Sequence, residues 1–351
     1  MAIGVNLEKA GFVSDYVKLV DKVNPSQTLI GDLGLFKNDF RSSKNITIER
    51  DSFSTNIIPA ENWDNGHYAL KREGGIALPL EIPRYPVKDA IRAADLYDKL
   101  VAVSDPSQMI VESVSRLRAE KVTKMVNALD HTLEADRFST LITGSPLTAR
   151  TLQRSYGDWN IYTELGVAQN SENISLNTSM DITSTLNDVY NYTRDNLTQG
   201  FGQLVVLCGR NLFNSVISNE YYQAALIAGA PTTLDKIMGR PTVAMTGTSY
   251  RAVEFQGYIF VDASSSGYYN GAGAFTKHLA DDDGYVVPMG DFYRTFYSPK
   301  QDFDSINSTA REKYFREFLR EDRTAIEIFG ESNFLNVLLY PEAITKLVGQ
   351  A

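Results

Sequence analysis

The chain has a single cysteine in 351 residues. A lone Cys208 excludes an internal disulfide and any thiolate metal cluster, and its setting in "LVVLCG" reads as a small buried hydrophobe. No stretch approaches the roughly 18 apolar residues of a membrane span, and "MAIGVNLEKAGF" lacks the basic-then-apolar pattern of an export signal. The expectation is a soluble protein that is not exported and has no membrane partner. Histidine is scarce as well: His67, His131 and His278 stand far apart, so spacing suggests neither a zinc triad nor a Ser-His-Asp arrangement. Long Lys/Arg runs are missing. With 43 acidic against 34 basic residues and a formal charge of -9, sequence-specific nucleic-acid binding is not expected, although an acidic protein can enclose DNA without gripping it. No repeat of fixed period is present.

A hydrophobic content of 43% suffices for a sizeable core in one large or two ordinary domains. Residues 1–40 show little periodicity and several punctuators in "VNPSQTLIGDLG", so they read as an arm that needs something to lie against. Two long strands follow, "NITIERDSFSTNIIPA" (45–60) and "HYALKREGGIALPLEIP" (67–83), joined at "WDNG". With Asn65-Gly66 at the turn centre, Asp64 pairs with His67, and residues 49–51 oppose 80–82 while 71–73 oppose 58–60. A two-stranded ribbon alone is marginal in water. It must rest on another copy of the chain or fold back on its own domain. The Gly74-Gly75 pair permits a hinge or a simple bulge.

"SDPSQMIVESVSRLRAEKVTKMVNALDHTLEADRF" predicts a long helix, with a Ser104/Asp105 cap and Pro106 at the first helical position. Its apolar set, from Ile110 and Val111 to Leu129 and Leu133, repeats at threes and fours over about 30 residues, roughly 45 Å. The Ser/Thr/Asn-rich stretch 139–180 reads as strands and loops. From Asp181 an α/β unit is expected. Its first helix places Ile182, Leu186, Val189, Tyr190 and Leu197 on one face, and the buried strand "QLVVLCG" comes next. Helical "NLFNSVISNEYYQAALIAG" is followed by the strands "PTVAMTG", "YRAVEFQGYIFVDA" and "GYVVPMG", with "SSSGYYNGAGAF" as a loop between the last two.

The most enzyme-like group is "DHTLEAD", where His131 and Glu134 stand one helical turn apart beside Asp130 and Asp136. A solvated helix face accounts for it more simply. "LADDDG" departs from a calcium loop because Leu279 stands where an acid is required, leaving a solvated turn. "GYYNGAG" lacks the third glycine of a dinucleotide loop. No catalytic, cofactor-binding or metal-binding residue is assigned on these patterns.

The order of an arm, a ribbon ending in "LPLEIPRYPVKDAIRAADL", a spine helix and an α/β unit resembles the lambda-type phage major capsid protein E family. The tail "DDDGYVVPMGDFYRTFYSPKQDFDSINSTAREKYFREFLREDRTAIEIFGESNFLNVLLYPEAITKLV" carries the most specific likeness. It is similar to that family's strand with Pro288, the aromatic "FYRTFYSP" segment, a turn containing Asn307, and a Ser-Asn-Pro-Leu run leading to Pro-Glu, with Phe334 in place of the proline. The resemblance implies an α+β, HK97-like phage capsid fold. Its parts would be an N-terminal arm (1–40), an extended E-loop β-hairpin (41–85), a P-domain with the long spine helix (86–180 and 300–351) and an A-domain (181–299).

The resemblance further implies a non-enzymatic major capsid protein of a tailed double-stranded DNA phage, with no cofactor. Copies would assemble in the host cytoplasm into hexamers and pentamers of an icosahedral virion shell around DNA bound without sequence specificity. Partners would be a portal protein, a scaffolding protein and often a cement protein. No long charged helical segment precedes the ribbon, so scaffolding is expected to be a separate protein. The alternatives are an encapsulin-type nanocompartment shell, which shares the fold, and a metal-dependent hydrolase built on His131 and Glu134. In the capsid reading the ribbon lies over the P-domain of a neighbouring subunit. Its intersubunit contact candidates are Arg50, Ile57, Ile58, Lys71 and Arg72, with Arg50 and either Lys71 or Arg72 meeting carboxylates of that neighbour.

Burying an isoleucine contributes about 1.5–3 kcal/mol, and a shell multiplies the contact over many copies. Ile57→Asp is therefore expected to leave soluble subunit with a native circular dichroism spectrum but few shells by electron microscopy. An insoluble or unfolded product would place Ile57 in its own domain's core.

Overall fold

The computed structural model describes residues 29–50, 76–97, 106–147, 159–197, 200–229, 250–269, 275–303, 305 and 308–350. Its strands are β1 (Lys37–Phe40), β2 (Asn45–Arg50), β3 (Ile76–Glu81), β4 (Arg84–Arg92), β5 (Asn170–Ser175), β6 (Leu204–Cys208), β7 (Ala252–Phe255), β8 (Tyr258–Asp262), β9 (Gly267–Tyr269), β10 (Phe275–Lys277), β11 (Gly284–Pro288), β12 (Tyr293–Tyr297), β13 (Tyr314–Leu319), β14 (Ala325–Leu338) and β15 (Thr345–Gln350).

One sheet is built around β14. Residues 325–333 pair antiparallel with β4, residues 326–331 also pair with β13, and residues 334–338 pair with β12, which β1 joins in parallel. Side chains alternate along β14, so Ile326 and Ile328 turn to the long helix while Glu327 and Phe329 take the other face. The helix, Pro106–Thr143, has 38 residues and spans about 57 Å. Leu117, Val122, Met125 and Val126 pack with Ile91 and Ile328, Leu129 packs with Tyr85, Tyr297 and Phe334, and Phe138 and Leu141 enter the main core. Helix continues through 139–143, where composition suggests strands and loops. The hydroxyls that make that stretch look polar are satisfied inside the helix: Thr140 Oγ1 donates to the Asp136 carbonyl at 2.8 Å and Thr143 Oγ1 to that of Ser139 at 2.8 Å. Gly144, at φ +70°, ends it.

The second sheet has the order β5-β15-β11-β6-β8-β7. Its β6 is buried on both faces: Val205 and Leu207 face the main core, while Leu204, Val206 and Cys208 face helices Thr183–Asn196 and Arg210–Ser218. Cys208 is the buried hydrophobe the sequence suggested, and burial raises its thiol well above the ordinary value. The strands cross the sequence-based boundaries. β5 and β15, from outside 181–299, form a parallel pair in this sheet, whereas β12, from inside that span, lies in the other.

Several local expectations change. Tyr190 is 44% exposed, because Leu186, Val189 and Thr193 hold the buried stripe of that helix. "YRAVEFQGYIFVDA" is the hairpin β7–β8, turning at Gln256 (φ 52°) and Gly257 (φ 79°). The helical run after β6 breaks at Asn219, whose Oδ1 accepts the Tyr221 N–H at 3.0 Å. Part of the expected loop 264–275 is paired, as β9 with β10. "PTVAMTG" lies outside the described residues.

The ribbon is present as β2–β3, in another register. Arg50 opposes Ile76 and Glu49 opposes Ala77, where an unbroken ladder from Asn65-Gly66 would put Glu49 opposite Ile82. The shift is odd in residues and so exchanges the two faces. Hydrophobic pairing at the base sets it: Ile46 opposes Leu80 and Ile48 opposes Leu78. Ile46, Leu80 and Ile82 are buried in the main core, with Ile48 and Leu78 against it.

Gly209 follows β6 where the turn before β11 crosses it, and a Cβ there would overlap the backbone carbonyls of Ala280 and Asp281. Gly209→Ala is expected to lower stability by about 1–3 kcal/mol, as overpacking does, read by thermal or urea unfolding. An unchanged midpoint would mean that residues 280–281 move aside freely.

Candidate functional site

The carboxylates of "DHTLEAD" diverge rather than converge. Asp130 pairs with Lys313 at 2.5 Å. Glu134, 7% exposed, accepts the N–H groups of Ile30 at 2.6 Å and Gly31 at 3.2 Å, at the start of the short helix Leu29–Leu33. Asp136 is fully buried and accepts the Asn336 amide at 2.8 Å. Asn336 Oδ1 accepts the Thr295 hydroxyl at 2.7 Å, and that hydroxyl oxygen accepts Arg137 Nε at 3.2 Å and Nη2 at 3.0 Å. Arg137 also donates to Asn38 Oδ1 at 3.1 Å, with its guanidinium 5.4 Å from the centre of the Phe36 ring.

One polar seam thus joins the helix to β1, β12, β14, the segment before β13 and the chain at Ile30. A buried network of this kind holds a unique arrangement only when its members are satisfied. His131 is exposed. The solvated-face expectation therefore holds for His131 and fails for Glu134 and Asp136. No group of three or more His, Cys, Asp or Glu side chains suited to a metal ion occurs among the described residues.

Beside Glu134 lies a cavity of about 130 Å³ lined by Asn38, Asp130, Leu133, Arg137, Tyr297 and Glu312. Burial pushes the Glu134 carboxyl up to about 7, against the lowering effects of the Ile30 N–H and Arg137. Elsewhere His278 stacks on Phe138 with ring centres 4.3 Å apart and planes 4° from parallel. Burial, with His131 nearby, brings its imidazole down to about 4, so it packs as a neutral ring. The acidic turn is a junction: Asp281 binds Lys277 at 2.7 Å, Asp282 accepts from Asn211 at 2.7 Å and Asp283 pairs with Lys346 of β15 at 2.9 Å.

Of the assembly candidates, Arg50 ends β2, at the point where the described stem of the ribbon stops. Ile57, Ile58, Lys71 and Arg72 lie outside the described residues. The surface also carries aromatics that sequence reading passed over. Phe303 is 97% exposed and Phe318 44% exposed; Phe303 borders a recess of about 570 Å³ with Ser42, Lys44 and Pro299. A signal existed for Phe318: "YFREFL" is aromatic on both alternating faces, although only one face of β13 meets the helix.

The family model for phage major capsid protein E matches residues 16–348. The major capsid protein of Pseudomonas phage KPP10 is 22% identical over 327 residues, covering 91% of each chain. Among solved structures, the putative capsid protein of a prophage from E. coli CFT073 superposes with a TM-score of 0.59 at 11% identity, covering 97% of this chain and 99% of that one. The capsid structure of cyanophage P-SCSP1u gives a TM-score of 0.53 at 13% identity, covering 100% of this chain and 95% of that one.

Glu134 gives the seam a measurable signature. Its folded-state value, about 7, lies above the ordinary 4.5, so between those values the folded protein holds more protons than the unfolded one. Its contribution is fully present below pH 4.5 and is lost as pH rises through 7, up to about 3 kcal/mol at 1.36 kcal/mol per pH unit. Urea unfolding from pH 4.5 to 8 is expected to show this component in the parent and its loss in Glu134→Gln. Identical pH profiles would place the carboxyl in water.

Proposed function

The chain belongs to the phage major capsid protein E family, and from that membership we propose that it is the major capsid protein of a tailed double-stranded DNA bacteriophage, many copies of which form the virion shell. The carrying observation is the family match along nearly the whole chain, and the HK97-like α+β capsid fold agrees with it. Membership of a structural family implies a non-enzymatic role. The hydrolase alternative is not favoured, because Glu134 and Asp136 serve the fold and His131 stands apart from them. An encapsulin-type shell shares the fold, so the family match, not the architecture, favours the phage capsid.

In finer detail, the copies group as hexamers and pentamers of an icosahedral lattice, with a portal protein and a scaffolding protein as partners. The acidic balance of -9 suits a shell that encloses DNA without binding it sequence-specifically. Residues 1–40 serve as the arm and 41–85 as the E-loop. The long helix with β4 and β12 to β14 makes the P-domain, and the six-stranded sheet makes the A-domain, now including β5 and β15. The ribbon supports this division: its base is held by Ile46, Leu80 and Ile82 in the main core, which leaves the part beyond Arg50 to contact a neighbour through Ile57, Ile58, Lys71 and Arg72.

Size-exclusion chromatography with negative-stain microscopy tests the reading. The expected result is capsomers or megadalton icosahedral particles, filled with DNA when recovered from infected cells. A stable monomer that binds one divalent metal and loses it in His131→Ala would overturn it, and particles loaded with a protein cargo and no portal would favour the encapsulin reading.

A further inference from the structure

The chain enters the described body at the helix Leu29–Leu33, where Leu29, Ile30 and Leu33 are buried in the main core. Its polar tie to the long helix is the Glu134 carboxylate, which accepts the Ile30 N–H on Oε1 at 2.6 Å and the Gly31 N–H on Oε2 at 3.2 Å. The tie borders a wet space. The adjoining cavity of about 130 Å³ has room for several waters. One of its walls is Asp130, whose Oδ2 is buried and makes no hydrogen bond to the described residues, so an acceptor stands ready for a proton carried into the cavity.

The charges around Glu134 favour its neutral form. Asp32 acts on it from the entry helix, Asp130 from the preceding turn of its own helix and Glu312 from the segment before β13. The cations on this side are already engaged: Arg137 donates to Thr295 and Asn38, and Lys313 binds Asp130. Of the remaining neighbours, Asn38 of β1 is uncharged, Tyr297 of β12 keeps its phenol proton because burial raises it, and His131 is exposed. A carboxyl so placed gives up its proton less readily than in water, and burial brings Glu134 up to about 7. We propose that Glu134 is a proton-operated latch: with its proton it holds the entry segment 29–36 on the long helix, and without it the segment opens and cavity water meets the carboxylate. The latch is internal to the subunit, so it goes beyond the shell reading and does not depend on it.

Native-state hydrogen exchange of the full chain, read by mass spectrometry from pH 5 to 8 and corrected for the intrinsic rate at each pH, tests it. With Glu134 at about 7 in the closed state and its ordinary 4.5 in the open one, the opening constant of peptides covering 29–36 is expected to rise roughly 30- to 100-fold over that range, tenfold per pH unit between the two values. Such openings are local, so low urea leaves them unchanged, whereas the amides of β6 exchange in the urea-sensitive global unfolding. Glu134→Gln cannot ionise and is expected to show one opening constant at every pH. A pH-independent opening constant in the parent would overturn the latch without recourse to any variant. Exchange of 29–36 only by the urea-sensitive route of β6, or a pH dependence that persists in Glu134→Gln, would overturn it as well. None of these outcomes depends on whether particles form.

Discussion

A carboxylate taken out of water has to be answered by donors, and the long helix carries two such groups on its buried side. Much of the subunit is arranged as their answer. Glu134 is met by backbone N–H groups at Ile30 and Gly31, which fixes where the chain enters the body. The positive-φ turn at Gly34 then sends Leu35 and Phe36 into the main core and β1 alongside β12. Asp136 is met by Asn336, and through Thr295 and Arg137 the same network reaches β12 and β1. Each buried partner, if removed alone, would leave an unsatisfied acceptor costing about 1–3 kcal/mol. The polar seam therefore selects one register of helix on sheet, which hydrophobic packing of Met125, Val126 and Ile328 tolerates less selectively.

The two sheets are joined through that core and by short chain segments. β11 runs into β12 through residues 289–292, and β14 into β15 through residues 339–344. Val205, Leu207 and Val287 of one sheet share a cluster with Phe296, Leu335 and Val337 of the other. Through that cluster the two sheets share one hydrophobic core.

How much of this was legible follows from how local each cause is. The long helix and β6 announce themselves by periodicity and by an unbroken apolar run. The ribbon's strands are equally plain, but its register is not, because Ile46 opposite Leu80 reflects a core assembled from distant segments and not the chemistry of Asn65-Gly66. The acids of the helix were misread for a related reason: Glu134 and Asp136 look solvated until partners about 100 residues before and 200 residues after them are brought in. Likewise the parallel pairing of β5 with β15 has no local signature. The intersubunit candidates rest on resemblance, because the contact they would make is with another chain.

The position of β15 bears on how the subunit is made. It lies inside the six-stranded sheet, between β5 and β11, although it is formed by residues 345–350. A chain still on the ribosome can complete the pairing of β6 with β8 and β11, yet β11 and β5 lack the strand between them until residues 345–350 emerge. Unpaired strand edges invite pairing with other chains. A chain that had not yet made residues 345–350 would leave open the edge of β11 that β15 covers, and β5 without its parallel neighbour.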